Sequence, residues 1–136
     1  MIEATVNWTD KERYIGTATS RHAIVMDTAT EKTASTPMEL VLIALCGCTA
    51  SDVVGILRKK REQVTEYRVE VHGDRREEHP RSFRRIEVRH ILTGRGLTEK
   101  SVAHAIQLSD EKYCGVAATL RPTAEIVTSY EIHEQV

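Results

Sequence analysis

The residues best equipped for chemistry are three cysteines. Cys46 and Cys48 lie inside the apolar run MELVLIALCGCTASDVVGIL, positions 38–57, and Cys114 sits far downstream in DEKYCGVAATL. A Cys-x-Cys pair is a possible half of a metal site, but residues two apart on a helix point about 200° away from each other, so the two thiols do not share one ion. His22, His72, His79, His90, His104 and His133 are scattered and form no metal-ligand spacing with the cysteines, so no metal is expected. Gly94 and Gly96 in TGRGLT lack the full fingerprint and the strand-to-helix context of a phosphate loop, and read as turn glycines. Thiol chemistry remains. A nucleophilic cysteine needs its thiolate, which a cation or a donated hydrogen bond favours and apolar burial opposes; a buried cysteine is otherwise a small hydrophobe. Cys48 lies too deep in the run to gain from a helix N-terminus, and Asp52 one turn on is an anion, so an arginine from elsewhere must supply the field. Cys114, following Lys112 at a helix junction, is expected to be the less enclosed thiol.

The elements that must position these thiols follow from periodicity. Ile2, Ala4, Val6 and Trp8 alternate with polar residues, which predicts a strand with one buried face. Further strands fit Arg13 to Thr19 and His22 to Asp27. STPMEL then announces a helix: Thr36 is the N-cap, Pro37 takes the first helical position, and Glu39 completes a capping box. Arg58, Lys59, Lys60 and Arg61 place cations at its negative end. No residue between Glu39 and Asp52 is charged, so this helix has no solvent face in its first half and is expected to be buried. Tyr67, Val69 and Val71, then Ile86, Val88, His90 and Leu92, alternate as two strands of a hairpin across the charged connection GDRREEHPRS. Thr98 caps a second helix, with Leu97 stapled against Val102, and with Val102, Ala105, Ile106 and Ser109 on one face. A last strand fits Thr123 to Ile132. Strands, long helix, strands, helix and strand give an α+β fold in one domain, 1–136. A chain of this size struggles to cover a helix buried all round, which favours a homodimer sharing it.

Composition narrows the function classes. With Lys and Arg totalling 19 against 20 for Asp and Glu, the net charge is −1, which provides no global field for nucleic acid or an acidic membrane. Aromatics are 4%, too few for a base-stacking platform, and the arginines around positions 75–89 are interleaved with Glu77, Glu78 and Glu87 as on a solvated hairpin. No membrane span of about 18 uninterrupted apolar residues is apparent. MIEATVNW lacks the basic-then-apolar layout of a secretory signal, and a cytoplasmic location with free thiols is expected.

STPMELVLIALCGCTASDVVGILRKKR, followed by GDRREEHPRSFRRIEV and then LSDEKYCGVAATL, resembles the OsmC/Ohr family, most of all its YhfA-type subgroup, over essentially the whole chain. The resemblance implies an OsmC-like fold, with antiparallel sheets around a long buried central helix, in an intertwined homodimer. It implies a thiol-dependent peroxidase for organic hydroperoxides, with Cys48 as the peroxidatic thiol and Cys114 as the resolving one. Cys46 falls where relatives often have a small residue. No metal, flavin or haem is implied; an external thiol, a dithiol protein or a lipoyl-type carrier, would act as reductant. Glu39 matches the glutamate that pairs with an arginine near the thiol in the family's peroxidases. Their Gly-Gly-Arg-type segment is absent here, and Arg21, in TSRHAIVMD, is the nearest candidate for the cation, with Arg13 behind it. The alternative is an OsmC-like redox-responsive or ligand-binding stress protein without peroxidase activity.

Overall fold

The computed structural model describes all of residues 1–136. The chain falls into two compact units, Met1–Val41 and Leu42–Val136.

The first unit holds β1 (Ala4–Asp10), β2 (Arg13–Ala18) and β3 (Ala23–Asp27), an antiparallel sheet in the order β1-β2-β3. The period-two pattern correctly marks β1 as a strand, but not as a half-buried one. Every residue of β1 is exposed, Trp8 at 68%, so the sheet of this unit does not bury its own apolar side. The segment after β3 is organised by Asp27, which is buried. Its carboxylate accepts the Ala29 and Thr33 amides at 2.9 and 3.0 Å and the Thr33 hydroxyl at 2.7 Å. These donated bonds hold the carboxyl down at about 2.

That segment delivers the chain to α1 (Pro37–Lys59). The capping box is present: the Thr36 amide donates to Glu39 Oε1 at 2.8 Å and the Glu39 amide donates to Thr36 Oγ1 at 3.1 Å. Only one stripe of α1 is fully buried, Leu45, Thr49, Val53 and Leu57, spaced four apart on one face. Ile43 is 55% exposed, so the helix without a solvent face has an apolar exposed face instead. By length and composition α1 is sufficient to cross a membrane, contrary to the reading of its sequence. Its buried stripe is nevertheless shaped for protein, because Thr49 is bonded to another side chain of the fold, Ser109.

In the second unit, β4 (Gln63–Arg75) and β5 (Phe83–Arg95) pair antiparallel, while β6 (Glu125–Glu134) pairs parallel to β5. The expected antiparallel sheets are present, and β6 adds one parallel pairing that the pattern did not indicate. A parallel neighbour needs a long crossover, and α2 (Glu99–Leu108), a π-helical turn (Ser109–Tyr113) and α3 (Gly115–Leu120) make up that connection. On β5, Ile86, Val88, His90 and Leu92 are all buried, as their alternation predicts, and Phe83 is buried beyond a register shift at the start of the strand. α1 and α2 pack there: Val53 and Leu57 meet Leu92, Val102, Ala105 and Ile106 in one core, with Leu97 against it. Thr98 is the N-cap of α2 by its extended backbone, although its hydroxyl makes no capping bond.

Gly94 shows how tightly the strands close. A Cβ there would collide with the carbonyl oxygen of Gln63 and lie 2.8 Å from the Leu97 side chain. Gly94→Ala is therefore expected to lower stability by about 1–3 kcal/mol through forced displacement of backbone, read by urea unfolding; an unchanged midpoint would contradict this packing.

Candidate functional site

α1 presents Cys46 and Cys48 to different surroundings. The Cys46 thiol points at the carbonyl oxygen of Val69 on β4, 3.8 Å away, and burial pushes it up from its ordinary value. Cys48, half-buried, lies close enough to Cys114 to add to the upward push on the Cys114 thiol. The divergence expected of residues two apart on a helix is therefore what separates them.

Cys114 owes its place to the π-helical turn. Its amide donates to the Ser109 carbonyl at 2.8 Å, closing the wide turn, and its extended backbone makes it the N-cap of α3. Its Sγ accepts the Ala117 amide at 3.4 Å. Contrary to expectation Cys114 is the more enclosed thiol, 4% exposed, at the junction where α3 begins immediately after it. Burial first of all pushes its thiol up to about 11; the Ala117 amide offsets part of this, while Cys48 and Asp52 add to it.

Behind the two thiols lies a chain of buried hydroxyls. Thr49 Oγ1 and Ser109 Oγ are 2.8 Å apart, and Ser109 Oγ donates to Asp52 Oδ2 at 2.9 Å. With Ser109's proton on Asp52, Thr49 must donate to Ser109, so every hydroxyl in the chain is oriented toward the carboxylate. Thr49 also lines an enclosed cavity of about 10 Å³ together with Cys114, His90 and Asp110. On its other side Asp52 lines an open groove of about 250 Å³ with Ser51, Gly55, Ile56, Lys59 and Tyr113. A groove of similar size, about 240 Å³, near the end of α1 is lined by Val54, Arg58, Glu62 and Tyr67 and contains no thiol.

His90 and Tyr67 complete the buried polar set. Tyr67 Oη and His90 Nδ1 are 2.7 Å apart, and the rings stack at 5.9 Å between centroids. Burial lowers the imidazole to about 4 and raises the phenol, with Cys46 and Asp52 adding to the latter. Sequence reasoning missed Thr49 and His90 as site residues. It did put Ser109 on the buried face of α2, and a serine in an otherwise apolar stripe was the available signal that a polar partner waits across the packing.

The remaining candidates are in the first unit. Glu39 is engaged by Thr36, whose amide and then hydroxyl hold its carboxyl below the ordinary range; Lys32 is the cation that adds to this, and no arginine is paired with it. Arg21 lies in the turn between β2 and β3 with φ of 65°, its amide donating to the Ala18 carbonyl, and its guanidinium has no ion-pair partner. Arg13 pairs with Asp10. No cation is among the groups that act on Cys114.

The family model for OsmC-like protein matches residues 29–129. Protein YhfA of Escherichia coli (strain K12) is 44% identical over 131 residues, which cover 96% of this chain and 98% of that protein. The crystal structure of a hypothetical protein from Aquifex aeolicus VF5 is similar with a TM-score of 0.90 and 28% identity, over 100% of this chain and 98% of the other. An organic hydroperoxide resistance protein OsmC from Legionella pneumophila shares the fold, with a TM-score of 0.69 and 13% identity over 96% of each chain.

The buried imidazole makes a prediction independent of any activity. A histidine whose folded value is depressed contributes stability that is present above its unfolded value, 6.5, and is lost as pH falls through about 4. The loss is on the order of 3 kcal/mol. His90→Gln keeps an acceptor for Tyr67 but does not titrate, so its urea midpoint should fall less than that of the wild type between pH 7 and 4.5; parallel falls would contradict the assignment.

Proposed function

Because the chain belongs to the OsmC-like protein family, we propose that it is a thiol-dependent peroxidase that reduces organic hydroperoxides. The observation that carries this reading is the apposition of Cys48, half-buried on α1, with Cys114 at the cap of α3. The Cys48 thiolate attacks the terminal oxygen of the hydroperoxide, the O–O bond breaks, and the alkoxide takes a proton and leaves as the alcohol. Cys48 is left as a sulfenic acid. Cys114 then attacks its sulfur, forming the Cys48–Cys114 disulfide and releasing water. A dithiol, protein-borne or lipoyl-type, reduces the disulfide and is itself oxidised, so the cycle needs no metal, flavin or haem. Apolar surroundings suit an alkyl chain better than strongly hydrated hydrogen peroxide. The organic hydroperoxide resistance protein among the structural neighbours supports the same substrate class.

Arg21, free of ion-pair partners, is the proposed thiolate-stabilising cation, and Glu39 its proposed partner once the capping bond is shared. The second reading, a redox-responsive or ligand-binding stress protein, draws on a specific observation: Cys114 is held high, and its neighbours include an anion and no cation.

The proposed assembly is a cytoplasmic homodimer. Its support is the uncovered apolar surface: 22% of the most apolar stretch of α1 is buried, and Ile43, Trp8 and Ile24 are more than half exposed.

Two measurements check these proposals. In steady-state loss of cumene hydroperoxide with a dithiol reductant, Cys48→Ser should abolish activity, Cys114→Ser should depress turnover with dithiol, and Arg21→Gln should slow peroxide loss by about 10²-fold or more; equal rates for wild type and Cys48→Ser would leave the redox-responsive reading. In sedimentation equilibrium the protein should have twice the chain mass, and Ile43→Glu should shift it toward monomer. A monomeric wild type at micromolar concentration would contradict the shared helix.

A further inference from the structure

The proposed peroxidase cycle must move one proton from the Cys114 thiol to the hydroxide that leaves Cys48. Cys114 is 4% exposed and must lose its proton as the disulfide forms, and apart from its approach to Cys48 it lines an enclosed cavity of about 10 Å³. That volume is close to the least that holds one water. Thr49 is on the wall of the same cavity, and its hydroxyl is bonded through Ser109, which is fully buried, to Asp52. Asp52 in turn lines the open groove of about 250 Å³ on the far side and stands one helical turn from Cys48. Buried hydroxyls are costly unless bonded, and a serine and a threonine in a stripe otherwise made of Leu, Val, Ala and Ile are not required for packing.

We propose that Thr49, Ser109 and Asp52 form a proton relay that connects the Cys114 thiol to the open groove lined by Asp52, one helical turn from Cys48. This rests on the peroxidase reading and specifies its second step. As the Cys114 sulfur bonds to the Cys48 sulfur and the S–OH bond breaks, the thiol proton enters the cavity and is accepted by Thr49. Thr49 passes its own proton to Ser109, and Ser109 passes its own to Asp52. Asp52 delivers that proton to the hydroxide leaving Cys48, which departs as water. Two thiol-derived sulfurs end in one disulfide, one water is released, and the carboxylate is regenerated. The orientation of the hydroxyls toward Asp52 is the one this direction of transfer needs. After transfer each hydroxyl has reversed its donor, and rotation of the hydroxyls about their Cβ–Oγ bonds resets the chain.

The relay also explains the placement of the π-helical turn. The wide turn brings Ser109 Oγ toward α1 and Cys114 into the same cavity wall, so one local irregularity sets both the resolving thiol and its proton exit.

Thr49→Val, of similar shape but without the hydroxyl, Thr49→Ser, which keeps it, and Asp52→Asn test the relay. Fully reduced protein is mixed with one equivalent of cumene hydroperoxide without reductant. Hydroperoxide loss and disulfide formation are followed separately by rapid acid quench and mass spectrometry. In Thr49→Val and Asp52→Asn the disulfide should form at least about tenfold more slowly, with the Cys48 sulfenic acid accumulating, while Thr49→Ser stays within about twofold of wild type. The slowing should fall on disulfide formation rather than on hydroperoxide loss, and the solvent deuterium isotope effect on that step should be larger in wild type and Thr49→Ser than in Thr49→Val and Asp52→Asn. Wild-type rates in Thr49→Val, or an equal fall in Thr49→Val and Thr49→Ser, would overturn the relay while leaving the peroxidase reading intact. A wild type that consumes no hydroperoxide would overturn that reading and the relay with it.

Discussion

The hydrogen bond of 2.8 Å between Thr49 on α1 and Ser109 at the start of the π-helical turn is the contact on which the site depends. Both side chains are buried, and each would be a desolvated orphan without the other and without Asp52. The bond fixes the face that α1 turns to the crossover connection. Once that face is set, Leu45, Val53 and Leu57 must enter the same core, Cys46 must turn to β4, and Cys48 must meet the segment that carries Cys114. The apolar core supplies most of the driving force, but apolar contact tolerates a rotated or slid helix. A buried polar pair does not.

The same geometry sets a tension in the chemistry. Enclosure keeps water from a reactive sulfur and suits an apolar substrate, yet it also holds the Cys114 thiol at about 11, where the neutral form dominates at physiological pH. The Ala117 amide at the cap of α3 offsets only part of that cost, and Asp52 works in the opposite direction. A thiol so placed is inert until a partner sulfur bearing a leaving group is beside it, and then needs somewhere to send its proton. On the proposed function, neutral storage of Cys114 as resolving thiol and a polar exit for its proton would both follow from one enclosed site.

Much of this was legible in the sequence. The reciprocal bonds of Thr36 and Glu39, the boundaries of α1, the buried alternation of Ile86, Val88, His90 and Leu92, and the common face of Val102, Ala105, Ile106 and Ser109 all follow from local pattern, and the structure has them. What was not legible depends on long-range partners. The parallel pairing of β6 leaves no mark on its own residues, since it is set by where α2 and α3 return the chain. The burial of Cys114 depends on a five-residue π-helical turn and a short α3, whose irregular hydrogen bonding has no periodic signature. β1 alternates like a half-buried strand but is exposed, because burial of its apolar residues is a property of what covers a sheet and not of the strand. The cysteines were found by type, whereas Thr49 looked like one more small residue in a helix until Ser109 was placed opposite it.

The central claim is that Cys48 and Cys114 act as one redox unit, with Cys46 outside it. Peptide mapping of the protein under non-reducing conditions, after brief exposure to cumene hydroperoxide and with dimedone present in a parallel sample, tests this most directly. The account predicts a dimedone adduct confined to the peptide of α1 at Cys48 and, without dimedone, a disulfide joining that peptide to the one containing Cys114. A Cys46–Cys48 disulfide, or a dimedone adduct on Cys114 in place of Cys48, would contradict it.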